Sequence, residues 1–293
     1  MSGAENEVRH YANVWRNLTL PVRPSEGVLR VYREAMANLP EKNVVVLGST
    51  PELIDMAVEA NARRIVSIER SPTVIEAFQS LGETDWSNVQ FVVGDWLEDR
   101  PEFHGRFNCI MCDGGVLFLE YPGQWDQLFK VVHGYLGPGG VFAAKSWAEP
   151  PGDWNYQDMV EAHIGAFKAS SSALNAEQAR IAFIRLASVL RLVSLVRGTR
   201  SDGLFDQKIL VEQADDLMGR LEREFPDPAM VEINHAALKY LARSQPGRAD
   251  TISGAGYDRA EQLLRRNGFE PTNFPISDPP IDGSTYVFVA NRV

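Results

Sequence analysis

The chain has 293 residues, 44% of them hydrophobic and 23% charged, which is enough for one large domain or for a domain with a cap. Its formal net charge of −10 disfavours nonspecific binding to nucleic acid or to an anionic membrane, because both need a positive field. The polar start MSGAENEVRH lacks the apolar core of a signal peptide, and no uncharged apolar stretch reaches membrane-spanning length. Cys109 and Cys112 fall in one predicted strand with side chains on opposite faces. That pattern argues against a disulfide or a metal site, and for a reducing, cytoplasmic setting.

In chain order, residues 1–10 read as a loose start. Tyr11, Val14, Trp15 and Leu18 then recur at helical spacing until Pro21 and Pro24 interrupt. This short helix has two readings. It packs on the domain, or it folds over a ligand as an aromatic flap, with Arg23 held between two prolines to meet a carboxylate. Ser25 is expected to cap a helix over 26–39, with Val28, Leu29, Tyr32, Ala35, Met36 and Leu39 on one face.

The stretch from Asn43 to Glu69 organises the rest. Val44–Leu47 is a short β-branched run, as expected of a strand buried on both faces of a parallel sheet. Gly48 ends it, Thr50 is placed to cap a helix, and Pro51 suits the first helical position. Arg64–Ile68 is a second strand, with Glu69 at its carboxyl end. A glycine turn followed about 20 residues later by an acid is an arrangement for binding a ribose and its adenosine. A purely structural strand–helix turn is the other reading, since one glycine stands where a dinucleotide fingerprint has three.

Ser71-Pro72 opens the next helix, through about Gln79. Three more strands follow: Val89–Val93, ending in Gly94-Asp95-Trp96; Phe107–Cys112, ending in Asp113-Gly114-Gly115; and Val141–Ser146, after the turn Gly137–Gly140. A helix over 123–136 precedes the last of them. Alternating strands and helices imply a doubly wound parallel sheet, whose ligands lie at the carboxyl ends of the strands. Gly48, Glu69, Asp95 and Asp113 all fall at such ends, on successive strands.

On these residues, 43–146 resembles a class I S-adenosylmethionine-dependent methyltransferase with a glycine-poor first motif. The resemblance implies a seven-stranded, mainly parallel α/β sheet. VVVLGSTPE corresponds to the first motif, so Gly48, Ser49 and Thr50 are expected against the cofactor. Glu69, with Arg70 beside it, corresponds to the acid that binds the ribose hydroxyls. Asp95 corresponds to the acid near the adenine amino group, with Trp96 flanking the ring. Asp113 and Gly114 correspond to the fourth motif, beside the methionine end and the acceptor. YLGPGGVF matches the turn before the fifth strand. Tyr257–Asn267, NGFEP and TYVFVANR match the closing helix and antiparallel strand pair. The implied organisation is 1–42 as N-terminal helices, 43–150 as cofactor core, 151–250 as a helical insertion, and 251–293 as completion of the core.

The insertion contains apolar or amphipathic runs at Ile181–Val196, Phe205–Phe225 and Met230–Leu241. It emerges after the fifth strand, so it is read as a substrate cap; a dimerisation element, giving a homodimer, is the other reading. Methyl transfer is in-line displacement at a sulfonium carbon, so the enzyme chiefly aligns its reactants. A general base matters where the acceptor must lose a proton. Asp113, His163 and His235 are the candidates, and Trp147 and Glu149 are placed at the pocket mouth. The run AKSWAEP lacks the Asp-Asn of metal-dependent catechol-type enzymes. Asp113-Gly114-Gly115-Val116 lacks the Pro-Pro-aromatic motif of nucleic-acid amino-methylating enzymes, and Asp278-Pro279-Pro280 is read as a turn. The expectation is therefore methylation of oxygen or nitrogen on a small biosynthetic metabolite, without metal, nucleic acid or membrane. A dinucleotide-dependent oxidoreductase and a noncatalytic nucleotide-binding protein are the rival readings.

Overall fold

Short β-branched runs separated by capped helices form the architecture seen in a computed structural model of the chain. The structure describes residues 3–18, 22–147, 155–171, 251–252, 255–277 and 283–293, with scattered positions between 173 and 224. Two helices come first, α1 (Gly3–Asn17) and α2 (Glu26–Ala37). The core then runs β1 (Asn43–Leu47), α3 (Pro51–Glu59), β2 (Arg64–Glu69), α4 (Pro72–Gln79), β3 (Val89–Val93), β4 (Phe107–Asp113), α5 (Gly123–Tyr135) and β5 (Leu136–Trp147). Helix α6 (Tyr156–Ser171) follows. The two-residue strands β6 (Phe205–Asp206) and β7 (Thr251–Ile252) pair with each other. Helix α7 (Tyr257–Arg266) and strands β8 (Phe269–Ile276) and β9 (Thr285–Arg292) complete the order.

The main sheet has seven strands in the order β3-β2-β1-β4-β5-β9-β8. Strands β1 to β5 are mutually parallel, and β9 lies antiparallel between β5 and β8. Both faces are covered, as parallel strands require. On one face Val45, Leu47, Ile68, Ile110, Phe142 and Phe288 pack against Trp125, Leu128 and Phe129 of α5 and Leu264 of α7. On the other, Val44, Val46, Met111, Ala143 and Val287 pack against Val28, Val31 and Tyr32 of α2 and Leu53 and Ile54 of α3. Cys109 belongs to the second face and Cys112 to the first, as the strand period dictates. Both are free thiols.

The expected start of the chain needs correction. Residues 3–10 are not a loose tail but the first turns of α1. Val8, Tyr11, Ala12 and Trp15 give that helix an apolar stripe against Ala77 and Phe78 of α4, with the Trp15 and Phe78 rings 4.9 Å apart. The fifth strand also starts earlier than expected. Gly137–Gly140 is not a free turn but runs within β5, where the pairing with β4 shifts register between Phe107 and Cys109. Glycine permits this close approach: a Cβ on Gly140 would lie 2.9 Å from the Gly137 carbonyl oxygen. The expected caps divide. Ser25 accepts the Val28 N–H at 3.2 Å and Ser71 accepts the Val74 N–H at 3.3 Å, but Thr50 makes no side-chain capping bond.

Candidate active site

The carboxyl edge of the parallel strands gathers the residues singled out from the sequence. Gly48 ends β1 at φ +94°, in the left-handed region that glycine tolerates and other residues resist. Its N–H donates to the Ile68 carbonyl at 2.8 Å. The same carbonyl accepts the Trp96 indole N–H at 2.7 Å. One oxygen of β2 thus ties the β1 turn to the loop after β3. The half-buried Trp96 indole lies between two glycines. A Cβ on Gly48 would stand 3.6 Å from the ring, and one on Gly115 would stand 2.7 Å from it. Gly115 therefore has to be glycine to admit Trp96.

The loop after β1 is built on hydroxyls. Ser67 donates to the Gly48 carbonyl at 2.9 Å, and the Ser67 and Ser49 hydroxyls are 3.0 Å apart. Ser49 and Thr50 are both buried. The Ser49 hydroxyl is thus turned into the protein, where it fixes the loop that a glycine-rich sequence would leave to backbone geometry.

Beyond it, Glu69 accepts the Ser71 N–H at 2.9 Å, and Asp95 accepts the Leu97 N–H at 3.0 Å. Each carboxylate is oriented by the backbone of its own loop while its residue stays partly exposed. The Arg70 guanidinium stands 3.9 Å from Asp95, so Glu69, Arg70, Asp95 and Trp96 converge across the ends of β2 and β3.

The ends of β4 and β5 differ. Asp113 and Lys145 are register partners and form an ion pair at 2.9 Å, with both side chains completely buried. The Lys145 ammonium also donates to the Val22 carbonyl at 3.2 Å and lies 5.9 Å from the Trp147 ring centre. Tyr32 of α2 reinforces the edge. Its hydroxyl donates to the Cys112 carbonyl and accepts the Lys145 N–H, both at 2.9 Å. Burial holds the Tyr32 hydroxyl well above its ordinary pKa, so it stays protonated and able to donate. Burial also pushes both cysteine thiols up to about 12, which leaves neither as a thiolate nucleophile near neutrality.

The N-terminal segment meets the same edge. Glu52, in the first turn of α3, accepts from Arg23 Nε at 2.8 Å and from the Trp15 indole N–H at 3.3 Å, with Arg23 Nη2 at 2.6 Å. The carboxylate foreseen for Arg23 thus belongs to the chain itself. Tyr11 and Trp15 pack on α4, and Trp15 and Arg23 pin the segment beside the β1 loop.

Of the proposed bases, Asp113 lies at this edge. His163 sits half-buried on α6, where burial lowers its pKa, and it has no hydrogen-bond partner among the described residues. His235 and Glu149 lie outside the described residues, as do Asp278–Pro280 and most of the three insertion runs. Among the described residues no three His, Cys, Asp or Glu side chains group as metal ligands, and no helix is long and apolar enough to cross a membrane.

Lys145, Tyr32 and Glu52 were not among the sequence candidates. A lysine following two alanines in an otherwise apolar strand was the available signal for Lys145, since such a charge has to find a partner inside.

No family model and no curated protein matches the chain. Solved structures do resemble it. An S-adenosylmethionine-dependent methyltransferase from Mesorhizobium loti superposes with a TM-score of 0.53 at 12% identity, covering 92% of this chain and all of that one. The N-methyltransferase NodS from Bradyrhizobium japonicum WM9, in complex with S-adenosylhomocysteine, gives 0.50 at 10% identity over 97% and 98% of the two chains. A protein described as a putative Zn-dependent alcohol dehydrogenase from Rhodobacter sphaeroides gives 0.54 at 15% identity over 97% and 99%. With the observed strand order, these likenesses establish the fold. It is the α/β fold of the class I methyltransferases, a seven-stranded sheet with one antiparallel strand.

Proposed function

We propose that this protein transfers the methyl group of S-adenosylmethionine to an oxygen or nitrogen atom of a small-molecule acceptor. One observation carries the reading. The left-handed Gly48 turn and the partly exposed carboxylates of Glu69 and Asp95 line one edge of a sheet with the methyltransferase strand order. Those residues fit the nucleoside. Gly48 leaves the β1 turn without a side chain, and Glu69 and Asp95 present acceptor oxygens for ribose hydroxyls and an exocyclic amine.

When bound, the cofactor supplies an electrophilic methyl carbon. The chain's own residues hold and orient. Glu69 and Asp95 fix the nucleoside end, with Arg70 placed against Asp95. The Asp113–Lys145 pair, locked by Tyr32, gives a dry, rigid border on the acceptor side, where alignment supplies much of the rate. Both thiols are protonated and buried, so direct transfer to the acceptor is favoured over a cysteine intermediate.

Hydride transfer with a dinucleotide is the rival that the Rhodobacter likeness keeps in view. The open dinucleotide sheet has strand order 3-2-1-4-5-6 and a three-glycine turn. Here an antiparallel β9 is inserted beside β5, and Ser49 and Pro51 stand in the turn. Calorimetric titration with S-adenosylhomocysteine and, in parallel, NADH tests the proposal. Binding of S-adenosylhomocysteine alone is expected. Binding of NADH alone would replace methyl transfer by hydride transfer, and binding of neither would favour a noncatalytic role.

A further inference from the structure

Beyond the Asp113–Lys145 pair, the carboxyl edge carries buried polar atoms that no described residue satisfies, and two of them belong to directly opposed residues. These two are the indole Nε1 of Trp147 and the Oγ1 of Thr285, and neither has a hydrogen-bond partner among the described residues. Trp147 ends β5 and Thr285 begins β9, and the two residues are directly opposed in the antiparallel register. Opposed residues project their side chains from the same face, with Cβ atoms about 5 Å apart. Lys145 and Val287, two residues away on each strand, share that face. Thr285 is 1% exposed, so bulk water does not satisfy its hydroxyl.

Orphaned buried polar groups are rare in native proteins and costly. Two on opposed residues, at the edge where this fold takes its ligands, indicate partners that arrive from outside. The chemistry of the pair selects them. An indole N–H donates and cannot accept, whereas a threonine hydroxyl does either. A group that satisfies both must therefore offer lone pairs. We infer that Trp147 and Thr285 form a subsite for an oxygen of the methyl acceptor, either a carbonyl or a carboxylate. A cationic group is excluded from it, having no lone pair to offer the indole. Calling the ligand the methyl acceptor rests on the function proposed above; the binding site itself does not.

The test uses the full chain and small probes, and reads binding rather than turnover. Ligand-observed NMR would compare benzoate, acetophenone and benzylamine on the wild type, Trp147→Phe and Thr285→Val. Benzoate or acetophenone should bind the wild type and lose about tenfold in affinity in each variant, the worth of one hydrogen bond to a buried donor. Benzylamine should not bind at this site. Benzoate alone would mark the site as one for carboxylates; binding of acetophenone would mark it as one for carbonyls. Failure of both oxygen probes to bind, or equal affinity in wild type and variants, would overturn the inference. A second readout needs no ligand. Thr285→Val removes an unsatisfied hydroxyl, so its melting temperature should equal or exceed that of the wild type. A clear fall would show that the hydroxyl already has a partner, which also overturns the inference. S-adenosylhomocysteine titration of the same samples separates the two ideas, because loss of cofactor binding would sink the methyltransferase reading and leave the probe result standing.

Discussion

The two halves of the carboxyl edge use the same side chains in opposite ways. At β2 and β3, Glu69 and Asp95 are partly exposed and accept backbone N–H groups of their own loops, with Arg70 at 3.9 Å from Asp95. At β4 and β5, Asp113 is sealed against Lys145 at 2.9 Å with no exposure of either side chain. A carboxylate that keeps an open side holds acceptor capacity for a ligand. One buried against an ammonium has spent that capacity on architecture, and its removal leaves an uncompensated charge in a dry place. Position at a strand end therefore does not by itself assign a role; solvent access and partners do. The proposed function therefore uses Asp95 to bind and Asp113 to shape and stiffen the edge.

Breaking the buried pair gives the largest expected effect. Lys145→Met strands the Asp113 charge and should cost about 3–5 kcal/mol of unfolding free energy. Replacing both partners by apolar residues, as in Lys145→Met with Asp113→Leu, should recover much of that loss. Urea denaturation of the single and double variants decides the matter. A double variant no more stable than the single one would mean that the pair is not the element that matters. The open half should behave in the reverse manner. Glu69→Ala and Asp95→Ala should each weaken S-adenosylhomocysteine binding about tenfold to hundredfold, the scale of a hydrogen bond to a charged group. Their stability should shift by less than about 1 kcal/mol, as for surface changes. Unchanged titration curves in both variants would remove the nucleoside assignment, and a large loss of stability would erase the contrast between the halves.

The open half was legible in the sequence because it is local. Gly48, Glu69 and Asp95 each end an apolar run, and strand β3 has the expected bounds, Val89–Val93. The closed half was not, because it depends on register. Lys145 meets Asp113 only once β5 is laid beside β4, and Tyr32 reaches both strands from a helix more than a hundred residues before Lys145. On periodicity alone Tyr32 is one more core position of α2. Thr50 shows the limit of local rules in the other direction. It has the residue type and place of a cap, yet its side chain makes no such bond, and the adjoining loop is held instead by Ser49 and Ser67. Of the insertion, helix α6 lies outside the three runs singled out from the sequence, and His235 lies outside the described residues.

The smallest predicted effect supplies the control that both halves need. Asp126, in the first turn of α5, accepts from Lys130 at 2.7 Å, Asn267 at 2.8 Å and Arg266 at 2.7 Å, which ties α5 to the end of α7. Those partners, Lys130 foremost, hold its carboxyl well below the usual carboxylate range. A folded-state pKa below the unfolded value of about 4 means stability that is fully present at neutral pH. It is lost as the pH falls through that value toward the folded one. Asp126→Asn should therefore cost about 1 kcal/mol or less near neutrality, the scale of a surface ion pair, and the gap to the wild type should narrow in acid. Unfolding midpoints between about pH 7 and pH 3 measure that gap, and a constant difference would assign the effect to packing instead of charge. S-adenosylhomocysteine affinity should not change in this variant. If it fell as far as in Glu69→Ala, a general loosening of the sheet would explain both losses, and the division between an open and a closed half would fail.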